Sequence, residues 1–204
     1  MPVTIARNIK LIDLEIQKEL NKPIQSGLRT AFVNYPKGTT DNLIMQTPSM
    51  RMPFDITMNE ATDRHTIDVE CSDSLFLSKL KALDEHIKAF VQDNSQAFLK
   101  KESVSDEMLE HNYSPIVKST PNTAYLPKFR YKVNAETKIY DTKKNILQLK
   151  DITRNCNLTA IVELKYIWTK QGEFGVTFLA KQIRVDRKPQ QYADIDFIDT
   201  DDDE

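Results

Sequence analysis

Two runs of alternating residues, Thr159 to Trp168 and Phe174 to Val185, flank the link Lys170-Gln-Gly-Glu173. Alternation of this length fits a half-buried strand, and a short glycine-bearing link between two such runs fits a β-hairpin. A hairpin this long forces the rest of the chain to build a sheet around it. Along its first arm the alternation puts Val162, Leu164, Tyr166 and Trp168 on one face and Glu163, Lys165, Ile167 and Thr169 on the other.

The remaining segments agree with that frame. Leu28 to Tyr35 reads as a strand, residues 36–41 as a turn, and Asn42 to Thr47 as the return arm of a hairpin. Ile9 to Glu19 fits either a strand or a helix, and strand is preferred because Ile12, Leu14 and Ile16 alternate. His65 to Cys71 gives a further strand. From the cap residue Asp73, Leu75, Leu80, Leu83, Ile87, Phe90, Val91 and Phe98 recur at helical spacing, which predicts a long helix or helix pair to about Lys101. Ser105 can cap one more short helix before Pro115, and Phe129 to Val133 and Ile139-Tyr140 return to strand. The four glycines, 27, 38, 172 and 175, fall where turns or close backbone approaches are expected. Strands, a helical insertion over about residues 73–112, then strands again predict an α+β domain with a mainly antiparallel sheet.

With 204 residues, 40% of them apolar, the chain is long enough for one well-buried core. The expected organisation is one domain over residues 1–188 and an acidic tail over 189–204. No apolar run reaches the roughly 18 residues of a membrane span, and no secretory leader is visible, so an intracellular, membrane-free protein is expected. Cys71 and Cys156 are expected as packed thiols.

Charge is sharply segregated. Residues 118–188 hold fifteen Lys and Arg against six Asp and Glu, a balance of +9, whereas Gln190 to Glu204 carries seven carboxylates and no cation. A basic surface with an anionic strand tethered beside it binds polyanions and also carries its own competitor. The tail cannot bury enough apolar surface to fold and is expected to be disordered.

Signatures of catalysis are missing: no glycine loop for phosphates, no Gly-x-Ser-x-Gly elbow, and three isolated histidines without metal-ligand spacing. A non-enzymatic protein without metal or coenzyme is expected. In Lys128-Phe-Arg-Tyr-Lys-Val133 the alternation lines up Lys128, Arg130 and Lys132 on one face, a ladder that can track phosphates. Lys143, Lys144, Lys165, Lys181 and Arg184 extend the basic set, and Arg187 and Lys188 follow them. Tyr125, Tyr140, Trp168 and Phe174, at strand ends and turns, are the candidates to stack bases, while Phe129, Tyr131 and Phe178 are assigned to the core. The helical region is acidic or neutral, unlike the basic recognition helix of duplex readers, so unpaired strands are the favoured ligand.

Gln46-Thr-Pro-Ser-Met-Arg-Met-Pro-Phe54, Asp93-Asn-Ser-Gln-Ala-Phe98, Tyr113-Ser-Pro-Ile116, the PKFRYKV strand and the closing GVTFLAKQIRV strand before an acidic tail together resemble the single-stranded-DNA-binding proteins of large eukaryotic DNA viruses. Those in turn are similar to the phage T7-type protein. The resemblance spans about residues 28–204. It implies an OB-fold-like barrel with a helical insertion, coating of single-stranded DNA during viral replication, recombination or repair, and residence in the host nucleus or a cytoplasmic virus factory. It also implies a tail, here Phe197, Asp199, Asp201, Asp202, Asp203 and Glu204, that competes with DNA and docks a polymerase, primase or helicase; self-association is a further expectation. Phage-type tails usually end in an aromatic residue, whereas this one ends in Glu204, with Phe197 the nearest equivalent. The alternative is a virion or chaperone-like interaction protein acting through the tail.

Overall fold

The computed structural model describes residues 3–24, 26–59, 63–119, 122 and 124–186. The acidic tail, with Arg187 and Lys188, lies outside them. The predicted hairpin is the spine: β13 (Asn157–Lys170) and β14 (Glu173–Asp186) pair antiparallel along their whole length, and Gln171 and Gly172, both at positive φ, close the two-residue turn that joins them.

Both edges of this spine are lined by short strands. On the β13 side lie β3 (Arg29–Ala31), β5 (Ile44–Gln46) and β6 (Met50–Arg51), all antiparallel to it, with β1 (Thr4–Ile5) added on β5. On the β14 side lie β8 (Tyr113–Ser114), β10 (Lys128–Val133) and β11 (Lys138–Asp141), each parallel to β14. β7 (His65–Glu70) and β9 (Val117–Lys118) pair with β10, and β12 (Ile146–Leu147) with β11. β10 and β11 therefore follow one another along the same edge. The turn between them is pinned where the Thr137 hydroxyl donates to the Ala180 carbonyl at 2.8 Å and the Thr137 amide donates to Asn134 at 3.0 Å.

Two expected elements differ. The 28–47 hairpin is reduced to an isolated bridge between Asn34 and Asn42, because β13 takes both of its arms. Ile9 to Glu19 holds one 3₁₀ turn, Leu11–Asp13, and the two-residue β2 (Glu15–Ile16), which pairs only β4 (Val33–Asn34). The helices match the pattern: α1 (Ser74–Asp93), α2 (Ser95–Phe98) and α3 (Asp106–Asn112). Asp73 accepts the Phe76 amide at 2.8 Å and Ser105 the Met108 amide at 3.3 Å, each satisfying an otherwise orphan helix-start donor. Phe76 of α1 meets Phe129 of β10 edge-on at 5.6 Å, and Phe129 meets Phe178 of β14 at 5.1 Å, so Phe129, Tyr131 and Phe178 are core residues as expected. No helix among the described residues is long and apolar enough to cross a membrane.

The architecture is thus α+β and strand-dominated, with one face of the central strands filled by apolar side chains and the other turned outward.

Candidate nucleic-acid interface

Two bulges decide what the outward face presents. Between Leu164 and Tyr166 the register of β13 slips by one residue, and between Ile161 and Val162 the slip falls opposite Lys181 of β14. At a bulge two successive residues oppose one partner and the inward–outward phase resets. Leu164 and Ile167 are therefore both buried with Lys165 and Tyr166 turned out, and Ala180 and Ile183 are both buried with Lys181 and Gln182 turned out. This corrects the simple alternation: Tyr166 and Trp168 share the outer face with Glu163 and Lys165, while Ile167 and Thr169 point inward.

The ladder cations lie on that face, each with a defined neighbour. Lys128, Arg130 and Lys132 stand opposite Glu70, Asp68 and Thr66 of β7. Arg130 grips Asp68 through two parallel bonds of 2.7 and 2.8 Å, and Arg51 grips Glu70 in the same way at 2.8 and 2.9 Å. Bidentate pairing of this kind fixes a guanidinium in place. Glu70, the acid opposite Lys128, is held by Arg51, and the Lys128 ammonium lies over the rings of Phe54 and Tyr125. Burial, with Arg64 and Arg130 nearby, lowers the pKa of Lys132 from the ordinary lysine value, because desolvation and like charge both disfavour the ammonium.

Arg130 and Lys132 share a cleft of about 230 Å³ with Lys118, Trp168, Ser114 and Thr177. Trp168 stands opposite Gly175, and a Cβ at that glycine would come within 2.8 Å of the indole Cζ2 and 3.0 Å of Ser114. Gly175 is the close approach that the sequence anticipated. A second cleft of about 400 Å³ gathers Tyr140, Lys144 and Arg184 with Gln46, Thr159 and Gln182. Its Arg184 donates to the Thr159 hydroxyl at 3.3 Å.

Between the clefts lies Glu163, 3% exposed. It accepts a hydrogen bond from the Asn42 amide and one from Lys165 Nζ at 3.4 Å, and Lys181 Nζ sits 2.9 Å from its other oxygen in an ion pair. Burial alone would raise its pKa, but these donors more than offset it and hold the carboxyl below its ordinary value. Lys165 and Lys181 are therefore on the face but share one counter-charge.

One expected base-stacking residue is displaced. Phe174 is fully buried, its ring 5.0 Å from that of Tyr113, because β8 pairs alongside and covers it. It cannot stack on a base. Lys143 is exposed in the turn after β11, outside the linings of both clefts. Phe197, Asp199, Asp201, Asp202, Asp203 and Glu204 fall outside the described residues. Sequence reasoning missed Lys118, Gln182 and Phe54. Lys118 was counted within the basic block but lies on a two-residue strand that periodicity does not flag.

The crystal structure of gp2.5, a single-stranded DNA-binding protein encoded by bacteriophage T7, superposes with a TM-score of 0.51 at 12% identity, covering 76% of this chain and 98% of that one. The likeness is one of fold. The single-stranded DNA-binding protein from bacteriophage Enc34 in complex with ssDNA gives a TM-score of 0.49 at 9% identity over 85% of this chain and 97% of that one. No curated protein matches the sequence. Residues 55–199 match the Family of unknown function (DUF5871), and the chain belongs to that family.

Proposed function

We propose that the protein is a non-enzymatic single-stranded-DNA-binding protein, acting without strong sequence preference in viral DNA replication, recombination or repair, inside the host nucleus or a cytoplasmic virus factory. The observation that carries the reading is the convergence of Lys118, Arg130, Lys132 and Trp168 on one outward cleft, with Tyr140, Lys144 and Arg184 around a second on the same sheet. Cations beside a partly exposed aromatic are what unpaired strands require: phosphate contacts give affinity with a salt slope of roughly −0.7 each, and a stacked base adds roughly 1 to 3 kcal/mol regardless of sequence. The fold shared with the T7 single-stranded DNA-binding protein supports the same choice.

In this reading the sheet is an OB-fold-like barrel, with the Arg51–Glu70 pair spanning β6 and β7. The backbone lies along Lys128, Arg130, Lys132, Lys144 and Arg184, with Lys143, Lys165 and Lys181 adding to the field, and Tyr125, Tyr140 and Trp168 take bases. The tail, with seven carboxylates, competes for the same face when DNA is absent and docks a polymerase, primase or helicase when DNA is bound.

A gel-shift with labelled single-stranded and duplex oligonucleotides over a salt series tests the class. Preference for unpaired strands with steep salt dependence is expected, and equal affinity for duplex would overturn it. Deleting residues 190–204 is expected to tighten binding at low salt; unchanged affinity would remove the competition.

A further inference from the structure

Phe54 and Tyr125 are 53% and 60% exposed, unusual for large aromatic side chains. They come from separate loops, one after β6 and one before β10, yet both meet the same ammonium: Lys128 Nζ lies 5.2 Å from the Phe54 ring centre and 5.8 Å from that of Tyr125. A lysine over an aromatic face gains only about 0.5 to 1 kcal/mol at an exposed site, too little to explain two rings held out in water.

The cation balance around Lys128 is also unsettled. Its partner across one strand is Lys118, and like charges directly opposite in an antiparallel ladder repel. Its partner across the other strand is Glu70, both of whose oxygens accept from Arg51. Two lysines thus face each other, neither in an ion pair among the described residues, beside two open rings. Lys118 in turn lines the Trp168 cleft, so this cluster continues that cleft toward the start of β10.

We propose that Phe54, Tyr125, Lys118 and Lys128 form a further nucleotide subsite, in which a phosphate relieves the Lys118–Lys128 repulsion and an unpaired base stacks on Phe54 or Tyr125. The subsite rests on the single-strand reading above and lengthens its footprint by one nucleotide beyond the Trp168 cleft.

The test uses the full chain and oligothymidylates of increasing length. Trp168 is the sole tryptophan, so its fluorescence reports the neighbouring cleft independently of the proposed subsite. The double variant Phe54→Leu with Tyr125→Leu keeps apolar bulk at two exposed positions while removing the flat rings, and a thermal melt checks that the fold persists. The expected result is about tenfold weaker binding of long oligonucleotides, the scale of one lost stack, with Trp168 quenching retained at saturation. A footprint one nucleotide shorter should accompany it. Unchanged affinity and footprint with quenching intact would overturn the subsite alone. Failure of the unaltered protein to bind or to quench would overturn the single-strand reading and the subsite with it.

Discussion

Glu163 on the outer face and Asp84 beneath the helical layer are both nearly inaccessible carboxylates, 3% and 7% exposed, yet their surroundings push them in opposite directions. Glu163 is ringed by Lys165, Lys181 and Asn42, and its pKa falls. Asp84 accepts from the Tyr113 hydroxyl at 2.5 Å and the Ile116 amide at 3.0 Å, and there burial dominates, so its pKa rises. Lys88, which bears on Asp84 as a nearby charge, is itself engaged by Glu85 and Glu110. The contrast separates two uses of a buried acid: on the strand face it gathers and spaces cations, and on the helix it fastens the β8–β9 segment, which walls the Trp168 cleft, to α1.

The comparison breaks most decisively if charge on the outer face is dispensable. Reversing Lys118, Arg130 and Lys132 to Glu is expected to weaken oligonucleotide binding by at least about a hundredfold at low salt and to flatten the salt slope by about 2, three contacts at 0.7 each. Lys81→Glu with Lys101→Glu, on the helical side, should change affinity less than about twofold, measured by anisotropy. Next in size, Asp84→Ala leaves a buried hydroxyl and a buried amide without an acceptor and is expected to cost about 2 kcal/mol in a denaturant titration, with Asp84→Asn costing less because an amide oxygen still accepts. Gly175→Ala should displace the Trp168 ring, shift its emission and weaken binding several-fold, without the stability loss of Asp84→Ala.

The smallest effect sharpens the contrast through pH. A group with a lowered folded pKa stabilises above its unfolded value and loses that contribution as pH falls through the folded one, so the gap between the unaltered protein and Glu163→Gln should close on acidification below the ordinary glutamate range. Asp84, with a raised pKa, behaves oppositely: its ionisation costs stability as pH rises, and Asp84→Asn should remove that decline. Each change is expected to stay under about 1 kcal/mol by melting across pH.

Much of this was legible in the chain. The 159–185 hairpin, the caps Asp73 and Ser105, and the core placement of Phe129, Tyr131 and Phe178 all follow from local periodicity and side-chain chemistry. What escaped is non-local. A bulge adds one residue and leaves no mark in composition, so simple alternation groups Tyr166 and Trp168 with Val162 and Leu164, from which the bulge separates them. Phe174 sits beside a turn and reads as accessible, but Tyr113, some sixty positions away, covers it. Residues 28–47 carry the right pattern for a hairpin, and pairing went instead to the longer β13, which offers more ladder bonds. Phe54 and Tyr125 are brought together across loops that no spacing rule links.

The turn from Asn134 to Thr137 carries β10 directly into β11 along a single edge of β14, and the Thr137 bond to Ala180 locks its position. Lys132 ends on one side of it and Lys138 begins on the other. The spacing between the side chains that β10 and β11 bring to the Trp168 and Tyr140 clefts is therefore written into backbone length, like the gap between two teeth of a comb. Adding or removing a residue there would slide Tyr140 and Lys144 past Arg184 and so change the stride with which the molecule meets a thread laid across it.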